Sequence, residues 1–117
     1  MHPQRGAIFE IWVVSEIYKG LSHNGQQPRL FHYREARGPE IDFLIDQGRN
    51  LAAVEIKSGA TISHDFFDNL NHFTDRMAQA DDSRAVACHV VYGGETDQQR
   101  SRVRVLSWRH VERLIAG

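Results

Sequence analysis

The chain has 117 residues, 41% hydrophobic and 25% charged, with a formal net charge of −1. That is one domain's worth, spanning 1–117, and it excludes a multi-domain machine, a disordered chain and an evident polyanion binder. The longest aliphatic or aromatic run, residues 11–14, is far short of the ~20 residues of a membrane helix.

No signal-peptide pattern opens the chain, and a cytoplasmic protein is expected. Cys88 is the single cysteine, so no internal disulfide forms. Charge is unevenly spread. Residues 98–117 hold five arginines (Arg100, Arg102, Arg104, Arg109, Arg113) and one acid, Glu112. Residues 65–97 hold seven acids against Arg76 and Arg84. A basic end beside an acidic flank allows a local nucleic-acid footprint; a mixed solvated surface is the plainer reading.

The first predicted element is a helix over 5–21. At about 100° per residue, Ala7, Glu10, Ile11, Val14, Ile17, Tyr18 and Leu21 share a face, with Ser15, Glu16 and Lys19 away from it. His23-Asn24-Gly25 stops it, with Gly25 or Asn24 suited to a left-handed cap. Three strands follow, over 30–34, 40–46 and 51–57. In the second, Ile41, Phe43 and Ile45 point one way and Glu40, Asp42, Leu44 and Asp46 the other. In the third, Val54 and Ile56 oppose Ala53, Glu55 and Lys57. Gln47-Gly48-Arg49-Asn50 reads as the hairpin turn between them.

A second helix is predicted over 63–79. Ser63 is its N-cap, and Phe66, Phe67, Leu70, Phe73 and Met77 form its apolar face. Residues 81–83 form a loop. The apolar run 85–92 reads as a buried central strand closed by Gly93-Gly94. A strand over 102–106 and a short helix over 109–116 end the chain.

Two anomalies carry chemistry. Glu10 falls within an apolar helix face, where a carboxylate sits at the rim of the core or beside a positive partner. The plainer reading is a salt bridge to an arginine. The other anomaly is Val54-Glu55-Ile56-Lys57. With a four-residue turn, Asp46 pairs Leu51, which sets Asp42 opposite Glu55 and Glu40 opposite Lys57. Opposed residues share a face with Cβ atoms about 5 Å apart. Two carboxylates so close repel unless a proton or cation lies between them. A hard divalent ion such as Mg²⁺ resolves that repulsion, and Lys57 then stands beside it. Ordinary cross-strand pairing of Glu40 or Glu55 with Lys57 is the competing reading.

Other groups are weaker. The seven histidines show no zinc-ligand spacing. Cys88 reads as packing. Arg34 and Arg37 are candidate phosphate clamps, or partners for Glu35, Glu40 or Glu10. Arg102 and Arg104 share a strand face and are candidate backbone contacts, against the plainer reading of a solvated edge strand.

A helix carboxylate, a strand aspartate and, after twelve intervening residues, Glu-Ile-Lys resemble the PD-(D/E)xK nuclease superfamily. Gly6-Ala7-Ile8-Phe9-Glu10, Glu40-Ile41-Asp42-Phe43-Leu44-Ile45 and Val54-Glu55-Ile56-Lys57-Ser58-Gly59 look like one branch of it. That branch is the nuclease-like domain found C-terminal to the P-loop domain of many prokaryotic AAA-type ATPases. The resemblance runs from about Gly6 to the last helix. It implies an α/β, restriction-endonuclease-like core, helix-strand-strand-strand-helix-strand, with a mixed central sheet flanked by helices. It implies that Asp42, Glu55 and Glu10 hold Mg²⁺ or Mn²⁺ and that Lys57 assists catalysis. The implied activity is hydrolysis of phosphodiester bonds in nucleic acid, with DNA expected. Implied partners are that nucleic acid, a P-loop ATPase and a second copy of the chain, but no membrane. The rival is a non-catalytic module that docks onto or dimerises the ATPase. Two features depart from the pattern. Pro39 stands three residues before Asp42 rather than next to it, and no P-loop sequence occurs. The chain starts almost at the motif helix, as in a detached domain, an excised piece or a short gene product.

Overall fold

The computed structural model describes residues 3–23, 25, 27, 29–80, 82 and 84–116. Helix α1 (Pro3–His23) leads into strands β1 (Leu30–Arg34), β2 (Glu40–Asp46) and β3 (Asn50–Lys57). A 3₁₀ turn (His64–Phe67) runs into α2 (Asp68–Gln79). Strands β4 (Ala85–Tyr92), β5 (Gln98–Arg100) and β6 (Val103–Ser107) follow. A second 3₁₀ turn (Trp108–His110) then meets α3 (Glu112–Ala116). The fold is α/β, a mixed six-stranded sheet in the order β1-β2-β3-β4-β6-β5 flanked by helices. No helix among the described residues is long and apolar enough to cross a membrane.

The hairpins β1-β2-β3 are antiparallel, and β4 adds parallel to β3. Parallel neighbours need a crossover, and α2 supplies it. Strand β6 joins β4 in parallel, and β5 closes the edge antiparallel to β6.

The sheet separates two cores. Ala52, Val54, Ile56, Val91 and Leu106 pack with Val13, Ile17 and Leu21 of α1 and Leu114 of α3. On the other face Leu44, Leu51, Ala53, Val90 and Val105 pack with Leu70 and Phe73 of α2. Strand β3 is therefore buried on both sides, as expected of a strand between helix layers.

Three expectations need correction. The buried face of α1 is Val13, Ile17 and Leu21, while Ile11 and Tyr18 are exposed. This helix is apolar nearly all round, so periodicity could not choose its inner face. Ser63 makes no side-chain cap; its hydroxyl bonds the Asp65 carboxylate instead. Ile41 packs with Leu44 on the α2 side rather than with Phe43 and Ile45. The reason is a β-bulge in β2. Phe31 pairs Leu44 and Tyr33 pairs Ile41, so His32 alone faces both Asp42 and Phe43. The extra residue reverses the alternation.

Gly25 adopts φ +76°, the left-handed stop expected there, and Asn24 lies outside the described residues. Of the predicted loop 81–83, only Asp82 is described, paired with Arg84 at 2.9 Å.

Candidate active site

The β2–β3 ladder pairs Asp46 with Leu51 and continues to Phe43 with Val54, the register the four-residue turn predicts. It ends there, and side chains take over. Glu55 Oε1 accepts the Asp42 backbone N–H at 2.9 Å. Asp42 Oδ2 accepts the Ile56 backbone N–H at 2.7 Å. The two carboxylates thus clasp the strands reciprocally where the backbones part. On the other side of the bulge, His32 Nδ1 donates to the Asp42 carbonyl oxygen at 3.1 Å. Both backbone polar groups of Asp42 are held by side chains, which fixes the peptide carrying the carboxylate.

Burial makes this pair costly. Glu55 is only 3% exposed. Its pKa is pushed up to about 7, first by burial and then by the Asp42 charge. Asp42 is also raised by burial, against the lowering effects of the Ile56 N–H and Lys57. Glu10 is raised by burial and then by Asp42. Residue-level exposure nonetheless places Glu10 on the surface. It lies within reach of the Asp42, His32 and Lys57 charges.

Lys57 Nζ lies 3.9 Å from Glu55 Oε2 and 5.3 Å from the centre of the Phe66 ring. Glu10, Lys57, Ser58 and Phe66 line one cleft of about 600 Å³. The turn after β3 is tied down by Gly93, whose N–H bonds the carbonyls of Lys57 (3.0 Å) and Gly59 (2.9 Å). A Cβ on Gly93 would run into the Ser58 carbonyl, so only glycine permits this approach.

Asp42, Glu55 and Lys57 therefore meet at the end of the β2–β3 pair, and Glu10 of α1 lines the same cleft as Lys57. Glu40 does not meet Lys57; it turns to His32 Nε2 at 3.5 Å. The arginine partner expected for Glu10 is not found among the described ion pairs. Arg34 is exposed on β1, across from Glu40, and Arg37 lines a separate cleft with Pro39, His72 and Arg76. Neither takes Glu35, which binds Arg76 at 3.2 Å and the Tyr33 hydroxyl at 2.9 Å.

Arg102 and Arg104 do not share a face. Arg102 bonds Asn71 of α2 at 3.0 Å, whereas Arg104 bonds the Arg113 carbonyl of α3 at 3.2 Å. The turn before β6 sends Arg102 to one layer, while Arg104 alternates to the other. They stand beyond β4 from the acids. Cys88 is buried and bonded to Thr74 at 3.3 Å, and burial pushes its thiol pKa up, as packing requires.

The sequence reading missed His32 and Phe66 as site residues. Its spacing puts Phe66 on the apolar face of a helix, with no sign of a site role. His32 meets Asp42 only because of the bulge, which no local pattern announces.

The donors suit a hard divalent cation, since carboxylate oxygens are the ligands such ions take. Among the described residues, the backbone N–H groups that reach this pair engage Asp42 Oδ2 and Glu55 Oε1. Yet among the described residues no three His, Cys, Asp or Glu side chains stand close enough to hold a metal as placed. Glu10 does not stand with the pair as a third ligand.

The class defined by this geometry is an α/β domain with a buried acidic clasp at a strand bulge and a lysine beside it. A family model described as "Domain of unknown function (DUF4143)" matches residues 5–111, and the chain belongs to that family. Comparison with curated proteins finds no match.

Proposed function

We propose that this chain is a metal-dependent, nuclease-like domain that hydrolyses phosphodiester bonds in nucleic acid, with DNA as the expected substrate. The clasp between Asp42 and Glu55 carries the reading. Two acids buried together, each with a raised pKa, oppose folding unless a cation or proton neutralises them. The Glu-Ile-Lys order on β3 and the Glu10 rim position support the same reading. The chain's family is often associated with AAA ATPases, and such an ATPase is the expected protein partner.

Asp42, Glu55 and Glu10 would hold Mg²⁺ or Mn²⁺. When bound, the cation would lower the pKa of a water ligand and polarise a phosphoryl oxygen. The chain's own residues do the positioning. The reciprocal backbone hydrogen bonds lock the Asp42 and Glu55 carboxylates. Phe66 and Glu55 hold Lys57 in the cleft, where its charge faces a phosphate and stabilises the negative charge that develops on it. Arg34 and Arg37 remain candidate contacts to the nucleic-acid backbone from the β1–β2 side.

A second reading, a non-catalytic module for docking or dimerisation, is favoured by one observation: exposed Ile8, Ile11, Trp12 and Tyr18 on α1. Calorimetric titration of Mn²⁺ and Mg²⁺ into the protein, beside Asp42→Asn and Glu55→Gln, separates the two. Saturable binding abolished by both substitutions is the expected result. A parent protein that takes up neither ion would shift the assignment to the second reading.

A further inference from the structure

We infer that the outer face of α1 is a self-association surface, on which a second copy of this chain packs helix against helix about a twofold axis through Ser15. The face is defined by side chains the fold does not cover. Ile8 is 67% exposed, Ile11 66%, Tyr18 54% and Trp12 40%. Residues 8, 11, 15, 18 and 22 alternate spacings of three and four, which is the seam of a helix that packs on another helix. The seam is about 21 Å long. These four residues expose on the order of 500 Å², toward the upper end of the largest apolar patch found on a monomer, and a core around which an interface of about 800 Å² per partner can be built. Trp108, edge-on to Trp12 at 5.7 Å, extends the surface, with Arg109 stacked 4.6 Å over its ring.

Charge selects the occupant. The rim carries both signs in pairs: Glu16 with Lys19 at 3.2 Å, and Glu95 with Arg109. A polyanion needs a cationic surface, and this one is balanced. A twofold contact sets each rim against itself, which a balanced rim tolerates and a single-sign rim does not. Shape agrees. Ser15 is the midpoint of the seam and a small residue, so two helices crossing antiparallel approach closely there. That crossing sets Trp12 against the partner's Tyr18, and Ile11 along the aliphatic stem of the partner's Lys19. Ser15 lies about 140° around the helix from Glu10, so the acidic cleft stays open in the dimer.

Sedimentation of the full chain from about 1 to 300 μM tests this. A reversible dimer is expected, weakened at least tenfold by Ile11→Asp. Phe31→Ser, which removes an exposed apolar side chain elsewhere, on β1, should leave association unchanged. Circular dichroism on both variants checks that the fold is retained. Ser15→Cys adds an accessible thiol to a chain whose own cysteine is buried, and mild oxidation should give a disulfide-linked dimer. A parent that stays monomeric throughout, or a dimer indifferent to Ile11→Asp, overturns the inference. Binding of a monomeric parent to anionic vesicles would assign the face to a membrane surface instead.

Discussion

Two buried titratable side chains bend the stability profile in opposite directions. Glu55 has its pKa raised to about 7, so the folded state holds its proton more tightly than the unfolded chain does. That contribution is complete below about pH 4.5 and is lost as pH rises through 7, on the order of 3 kcal/mol. His89 on β4 behaves conversely. It is buried, its Nδ1 has no hydrogen-bond partner among the described residues, and its pKa is pushed down to about 4, first by burial and then by Arg104. Its contribution is present above about pH 6.5 and is lost as pH falls toward 4. The two slopes oppose each other between about pH 4.5 and 6.5, so the parent should look flat there. Urea midpoints measured across pH 4 to 9 should separate them. Glu55→Gln keeps an oxygen for the Asp42 N–H, and it should hold its stability at pH 8 to 9 where the parent loses it. His89→Leu should remove the acid-side loss. It should also gain about 1–3 kcal/mol from deleting an unsatisfied buried group.

At the scale of elements, the site depends on two interruptions of regular structure. The bulge in β2 opens the ladder at Asp42, and the side chains of Asp42, Glu55 and His32 refill the missing hydrogen bonds. The turn after β3 lies against β4 at Gly93. Gly93→Ala must push the Ser58 carbonyl away, and should cost about 1–3 kcal/mol as overpacking does. Gly59, where a Cβ would meet nothing within 4 Å, should tolerate alanine better. Short β5 went unrecognised for a plain reason. Gln98, Gln99 and Arg100 have no apolar alternation, and only pairing with β6 makes them a strand. The inner face of α1 was misread because the helix carries apolar residues on both sides. One side meets the sheet and the other is exposed.

Across the whole molecule, a bound cation should act as a folding ligand. It neutralises acids that otherwise oppose the native state. At a hundred times its dissociation constant, a ligand specific to the native state adds about 2.7 kcal/mol. Thermal denaturation at pH 8 with saturating Mn²⁺ should therefore rise by several degrees in the parent and not in Asp42→Asn. The gain should shrink toward pH 6, because a protonated Glu55 must release its proton to bind the ion. A shift of equal size in both proteins would place the ion elsewhere.

Much of this was legible in the chain itself. Alternation and turn chemistry marked β2, β3 and the hairpin between them, and the four-residue turn set their register, because side-chain period and turn length are local properties. The acids and the lysine stood out as charges where burial was expected. What needed the folded molecule was every relation that depends on a neighbour. The bulge that flips Ile41, the reach of His32 to Asp42, the separation of Arg102 from Arg104, the strand character of β5 and the free face of α1 are all set by pairing and packing between segments far apart in the chain. No local pattern encodes them, since the competing arrangements differ only in which distant surfaces they bury.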